Sequence, residues 1–385
     1  MNIAFLTPEY PHPNTGHSGG IGTSIKNLAI GLLAQKCKVR VLVYGQREDA
    51  VFEDEGICVQ QIKNVKFKGL SWWLTRKKIQ AIINQLYEAR EIDVIEAPDW
   101  TGITSFITPK KCPIVIRLHG SDTYFCHLDK RPVKWINKFH EKRGLQNADG
   151  LLSVSHYTAE VTNVLFGLDK EFTIIPNPID THLFSANAEN SNAEKSILYF
   201  GSLIRKKGVL ELPLIFNKVI EKNPKAKLVL VGKDVPDVTT GNSSTWQMMQ
   251  VLFFEEAKEK VQYLGSIHYT EIKAKIAEAT LCVFPSFAEA FPVSWLEAMA
   301  MEKPIVASNI GWASEMIDDG KSGYLVHPKD HNLFANKIID LLKNEQLRLE
   351  MSKEARYRVE SIFDIQKIAL QNIKYYQEII TKSLN

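Results

Sequence analysis

The chain has 385 residues, of which 45% are hydrophobic and 24% charged. That length exceeds one ordinary core and predicts a globular protein of two domains. A formal net charge of +3 is too small for bulk nucleic-acid binding, so no nucleic-acid partner is expected. The opening residues lack a basic region followed by an apolar core, which predicts no signal peptide. No apolar run approaches the roughly 18 residues of a membrane span. Cys37, Cys58, Cys112, Cys126 and Cys282 are odd in number and widely spaced, as expected of free thiols in the reducing cytoplasm.

Short apolar, β-branched runs alternate with helical stretches, the pattern of parallel sheets built from βαβ units. Ile3–Thr7 reads as the first strand and leads through a long loop, Pro8 to Ser18, into Gly19-Gly20-Ile21-Gly22 at a helix start. Glycines there let backbone amides approach a phosphate. The loop is too long, and Gly20-Ile-Gly22-Thr-Ser-Ile25 lacks the third glycine, for a dinucleotide fingerprint, which disfavours a nicotinamide or flavin dehydrogenase. Val39–Tyr44, Asp93–Glu96, Ile114–His119, Gly150–Ser153 and Thr173–Pro176 complete the first set of strands.

Glu96 and Asp99 stand at a strand end, where they would bind an acceptor hydroxyl or cap a helix beginning near Trp100. His119 ends its strand just before a glycine and would either meet a sugar hydroxyl or serve the fold. From Gly56 to Tyr87 there is no acidic residue, yet the stretch holds Lys63, Lys66, Lys68, Arg76, Lys77, Lys78 and the pair Trp72-Trp73. A second basic-aromatic run spans Lys130, Arg131, Lys134, Trp135, Lys138 and Phe139. These runs fit either a peripheral contact with the inner face of the cell membrane or a solvated face with its tryptophans in the core or the acceptor site.

A polar stretch from Ser185 to Lys195 places the domain boundary near 180–195. Ser196–Phe200, Lys227–Val231, Val261–Gly265, Thr280–Pro285, Pro304–Ser308 and Gly323–Val326 read as a second set of strands. The first of them runs into Gly201 and then Arg205-Lys206-Lys207, either a pyrophosphate clamp or a solvated basic loop. Glu289 precedes, and Glu297 lies within, a helix whose first position suits Pro292. Its early amides, at Val293 and Ser294, offer a phosphate site. Carboxylates beside a phosphate site suit a ligand that carries hydroxyls as well as phosphates, as a nucleotide sugar does. Ile365–Ile380 reads as a closing helix. Neither Asp-x-Asp nor a His or Cys pair with metal-ligand spacing occurs, so no metal is expected. Two doubly wound halves would leave a cleft at the carboxyl ends of their strands, where ligands usually bind.

Taken together, the chain resembles the family 4 retaining glycosyltransferases of GT-B fold, of the bacterial polysaccharide and oligosaccharide type. The resemblance rests on Gly19-Gly20, Arg117-Leu-His119, Asn147 to Ser155 and Ile175-Pro-Asn177-Pro-Ile-Asp180 in the first half. In the second it rests on Gly201 to Gly208, Leu230-Val-Gly232, Tyr263-Leu-Gly265, Pro285-Ser286, Glu289 to Glu297 and Gly320 to Val326. It implies two Rossmann-like α/β domains, residues 1–180 with a C-terminal helix about 364–385 crossing back to them, and residues 181–363. It implies transfer of a hexosyl group, by family frequency from UDP-glucose, onto a saccharide or lipid-linked saccharide, with retention and without a metal or other cofactor. By matching position, Glu297 would bind the ribose, Glu289 the transferred sugar and Lys207 the diphosphate, with His119 beside the reacting face. Glu289, His119 and Lys207 are thus the expected catalytic group. Gly20, Arg205, Lys206, Gly232, Tyr263, Phe291, Val293 and Ser294 complete the expected donor site, and Glu96 and Asp99 the acceptor site. Two departures stand out: Ser202 follows Gly201 where the family often has arginine, and Pro292 replaces a usual glycine. The rival readings are a nucleotide-sugar epimerase or phosphorylase of the same fold, and a non-catalytic nucleotide-sugar-binding protein.

Overall fold

A computed structural model describes residues 1–16, 18–186 and 195–384. Most of the polar stretch expected between the halves lies outside the described residues. The chain separates into two compact units, Met1–Pro178 with Phe363–Asn385, and Ile179–Ile362. The boundary thus falls at Pro178, just ahead of the 180–195 window read from composition.

Described residues of the first unit form an eight-stranded sheet from β1 (Asn2–Thr7), β2 (Lys38–Gln46), β3 (Ala50–Asp54), β4 (Ile57–Lys63), β5 (Val94–Pro98), β6 (Ile114–Leu118), β7 (Gly150–Ser153) and β8 (Thr173–Ile174). Their order is β3-β4-β2-β1-β5-β6-β7-β8. All neighbours are parallel except the β3–β4 hairpin. That hairpin escapes the sequence reading. β3 (Ala-Val-Phe-Glu-Asp) is a half-exposed edge strand, β4 carries two glutamines, and the turn is Glu55-Gly56 rather than Asn-Gly or Asp-Gly. Both turn residues have positive φ, the geometry of a two-residue hairpin turn.

The period of two along these strands places one core on each face of the sheet. Ile3, Phe5, Val39, Val41, Val94 and Val115 join Leu28 and Leu32 of helix Gly20–Ala34 and Ile368, Tyr376 and Ile379 of helix Ile365–Leu384. On the other face Ala4, Leu6, Ile95, Ile114, Ile116 and Leu118 join Ile79 and Ile83 of helix Ser71–Glu88, with Leu145 and Phe166. The closing helix therefore belongs to the first unit.

In the second unit, described residues form an all-parallel sheet of β9 (Ser196–Phe200), β10 (Lys227–Val231), β11 (Val261–Tyr263), β12 (Leu281–Phe284), β13 (Ile305–Ala307) and β14 (Tyr324–Leu325), ordered β11-β10-β9-β12-β13-β14. All six match the runs read from sequence, each within two residues at either end. Strands buried on both faces read as near-continuous apolar runs, which makes them easy to find.

One buried ion pair ties the first unit together. Arg117 of β6 points to the face covered by the closing helix, as does Glu96 of β5. Arg117 donates Nε to Glu96 Oε1 at 2.8 Å, Nη2 to Glu96 Oε2 at 2.9 Å and Nη1 to the carbonyl of Ile175 at 3.0 Å. Asn372 accepts from Nη2, and Tyr376 donates its hydroxyl to Glu96 Oε2 at 2.7 Å. Glu96 is only 2% exposed, so the expected contact with an acceptor hydroxyl is corrected: its carboxylate is occupied inside the core. Burial would lower the Arg117 pKa, but Glu96 and Tyr376 together hold it above its usual value. Replacing one partner leaves an uncompensated buried charge. Arg117→Met should therefore cost about 3–5 kcal/mol of stability, measured as a lower urea midpoint.

Candidate active site

In the second unit β9 ends at Phe200, and the chain turns through Gly201, Ser202 and Leu203 into a short 3-10 turn, Arg205–Lys207. Gly208 follows with φ +65°, and a Cβ there would lie 1.7 Å from the carbonyl oxygen of Pro285. Only glycine allows that approach. The carbonyl of Lys206 accepts from the amides of Phe287 at 2.8 Å and Ala288 at 3.1 Å. These contacts stitch the basic turn to the loop after β12.

The result is a close charge pair: Lys207 Nζ lies 2.9 Å from Glu289 Oε1. Ser286 Oγ reaches the same oxygen at 3.4 Å. Lys206 contributes through its main chain. Arg205 departs from the expected clamp, because its guanidinium makes a two-pronged contact with Asp237, both bonds at 2.8 Å. Asp237 also accepts from Thr240 N and Oγ1, and its pKa is pushed well down, chiefly by the Arg205 hydrogen bonds. Arg205 is thus a brace for the loop after β10.

Helix Val293–Ala300 starts one residue later than read from sequence. Pro292 is its N-cap, with extended backbone (φ −70°, ψ 121°), and supplies no side-chain cap. The first amides of such a helix have no intrahelical acceptor, and Val293 and Ser294 carry two of them. One turn on, Glu297 sits among residues that are nearly all buried and is itself 4% exposed. Burial raises its pKa to about 7, offset in part by the Tyr269 hydroxyl and the Lys207 charge. That hydroxyl donates to Glu297 Oε1 at 2.6 Å. Sequence reasoning missed Tyr269, and no motif marks it. Phe291 is buried just before the helix. Gly232 donates its amide to the Gly265 carbonyl at 2.8 Å, and its own carbonyl accepts from the Tyr263 hydroxyl at 2.8 Å. The Tyr263 ring lies 4.9 Å from that of Trp246, so Tyr263 braces the ends of β10 and β11.

In the first unit, Gly20 opens helix Gly20–Ala34, whose N-cap Gly19 gives no side-chain cap. The carboxylate of Glu9 reaches this end and accepts from the Gly22 amide at 3.0 Å. An acid placed there complements the helix dipole; the sequence reading, occupied with the glycines, passed over it. His119 follows β6, and its amide donates to Asp99 Oδ1 at 2.9 Å. Asp99 therefore gives no side-chain cap to the 3-10 turn Trp100–Gly102, a correction to that reading; it fastens the main chain of His119 instead. At 3% exposure it has little surface for an acceptor. Burial raises the Asp99 pKa to about 8, and burial plus the Arg117 charge lowers that of His119 to about 3. The imidazole is thus neutral at neutral pH. Glu141, 1% exposed, was also missed. It accepts from the amides of Thr101, Asp122 and Thr123, bracing the segments on either side of His119.

Residues 18–183 match Glycosyltransferase Family 4 and residues 182–358 match Glycosyl transferases group 1. N-acetyl-alpha-D-glucosaminyl L-malate synthase of Bacillus anthracis is 26% identical over 72% of this chain and 70% of its own. Among solved structures, the sucrose-phosphate synthase of Thermosynechococcus elongatus is 21% identical with a TM-score of 0.80, over 99% of this chain and all of the other. Anabaena Alr3699/HepE, solved in complex with UDP-glucose, is 20% identical with a TM-score of 0.74, over 98% of this chain and 100% of its own. At these identities the structural likeness establishes the fold.

Two outcomes follow from the local geometry. Gly208→Ala should lose about 2–4 kcal/mol, read from chemical denaturation, because the new methyl collides with Pro285. Asp99 holds its proton more tightly when folded than its ordinary value of 3.8, so stability from its neutral form is present at low pH and lost as pH rises towards about 8. Comparison of melting temperatures across this window should show wild type losing ground to Asp99→Asn as pH rises, then no further change.

Proposed function

The chain belongs to glycosyltransferase family 4 and has its GT-B fold, and on that footing we propose that it transfers a hexosyl group from a nucleoside diphosphate sugar, UDP-glucose first among them, to a saccharide or lipid-linked saccharide with retention of anomeric configuration. Polysaccharide biosynthesis is the setting that this acceptor class suggests. The observation that carries the reading is the grouping of Lys207, Glu289, the start of helix Val293–Ala300 and Glu297 in one unit. It offers a cation and helix amides for a diphosphate, and two carboxylates for hydroxyls. The complex of Alr3699/HepE with UDP-glucose supports the donor.

In this reading Glu297 accepts from the ribose hydroxyls and Glu289 from hydroxyls of the transferred sugar. Lys207 and the amides of Val293 and Ser294 stabilise the diphosphate as the bond from the anomeric carbon to its oxygen breaks. The acceptor oxygen bonds to the same face of that carbon, and its proton passes to the departing diphosphate oxygen. No protein nucleophile is required, and the Lys207 cation and the helix dipole serve where other enzymes use a metal. Equal rates in magnesium and in EDTA are the expected check. All five cysteines are free, which supports a cytoplasmic setting.

Lys207→Ala should lower kcat by about 10²–10³-fold. Glu297→Ala should weaken UDP binding by about tenfold or more with a smaller effect on kcat. Steady-state rates and UDP titration calorimetry read these, and unchanged values in both variants would overturn the site. UDP affinity should also rise with pH through about 7, where Glu297 ionises and becomes the stronger acceptor; Glu297→Gln should abolish that rise.

A further inference from the structure

Helix Ser71–Glu88 turns Thr75, Arg76, Ile79, Ile83 and Leu86 to the core. Its first turn does not join them. Trp72 and Trp73 remain exposed, as do Phe67 and Leu70 just before them. Sixty residues on, helix Trp135–Gln146 repeats the arrangement: Trp135 is 76% exposed, and Ile136 and Phe139 are exposed beside it. The first unit brings these two stretches together. Phe106 lies between them, its ring 5.7 Å from Trp72 and 6.3 Å from Phe139. Trp72 also lies 5.4 Å from the ring of His140. The exposed apolar residues thus form one face, larger than the isolated hydrophobes common on soluble surfaces.

Basic side chains outnumber acidic ones around this face, and Asp122 and Asp129 both lie against Arg131. Lys66, Lys68, Lys130, Arg131 and Lys134 are exposed at its edges. Lys77 lies over the Trp73 ring at 5.9 Å and Arg143 over the Phe106 ring at 4.3 Å. Acidic groups are withdrawn or neutralised. Glu141 is buried and saturated with amide donors, Asp129 lies 3.2 Å from Arg131, and Asp49 lies 2.6 Å from Lys78. Glu88 comes only as the last residue of its helix. Among the described residues no helix is long and apolar enough to cross a membrane.

We propose that this face docks peripherally on an anionic lipid surface, with Trp72, Trp73, Trp135 and Phe139 in the interface and the flanking lysines and arginines on the headgroups. Aromatic rings with a polar tip prefer the headgroup boundary. Basic side chains next to them add attraction that an anionic leaflet supplies and a neutral one does not. A protein partner of ordinary composition would be met by both signs of charge; here a planar, uniformly negative surface is the better complement. The face uses none of Lys207, Glu289 or Glu297, so its test is independent of the donor site.

The test is co-sedimentation of the full chain with phosphatidylglycerol-containing and with pure phosphatidylcholine vesicles, alongside tryptophan emission. Binding to the anionic vesicles only, a blue shift on binding, and weakening by salt are the expected results. Trp72→Ser/Trp73→Ser/Trp135→Ser should reduce partitioning about hundredfold, and Lys66→Ala/Lys68→Ala/Lys134→Ala should do the same at low salt, with far-UV circular dichroism and an unchanged urea midpoint of both variants reporting an intact fold. A wild-type chain that stays in the supernatant overturns the proposal. So does equal binding to neutral vesicles, or capture by a soluble acidic polysaccharide with the vesicles left unbound.

Discussion

The contact on which the first unit depends is the buried pairing of Arg117 with Glu96. It links two neighbouring strands, the main chain at Ile175 and, through Asn372 and Tyr376, the closing helix. Such a pair contributes little net stability by itself, because desolvation offsets most of the Coulomb gain. Its effect is selective. A helix placed elsewhere on the sheet would strip the buried pair of its Asn372 and Tyr376 hydrogen bonds, so the arrangement favours one docking of Ile365–Leu384. The same guanidinium, two residues before His119, helps to keep that imidazole neutral.

The second unit places its charges by a different device, through main-chain contacts instead of a buried ion pair. The Lys206 carbonyl holds Phe287 and Ala288, Gly208 packs on Pro285, and the side chains of Lys207 and Glu289 are left facing one another. Main-chain bonds between two strand-end loops are less compliant than long side chains. The position of the cation relative to the helix start is therefore set by backbone geometry. Tyr269 and the Arg205–Asp237 brace act around the edges of the same group.

Buried carboxylates recur in both units with distinct consequences. Glu96 is compensated by an arginine and stays in the core as a structural ion. Burial raises the pKa values of Asp99 and Glu297 to about 8 and about 7, the latter against the opposing Lys207 charge. Glu141 is raised as well, despite the donors that hold it. A protein keeps such groups at a cost, which makes the role of each a matter of what its oxygens touch.

Much of this was legible in the chain itself. The six strands of the second sheet, the closing helix and the motif of Glu289 and Glu297 follow from local signals: continuous β-branched runs, helix-forming stretches, and a proline beside a helix start. Those signals act over a few residues, so order along the chain reveals them. The β3–β4 hairpin was hidden because an edge strand alternates polar residues and its turn was atypical. Only the tertiary structure decided which charges serve the site. Glu96 meets partners 21 and 280 positions away, and Arg117 meets Asn372 across 255; spacing along the chain carries no trace of such pairings. Arg205 and Lys207 are alike in sequence and two residues apart, yet Asp237 engages one and Glu289 the other. A side chain's chemistry is set by its residue type, but its partner is set by packing.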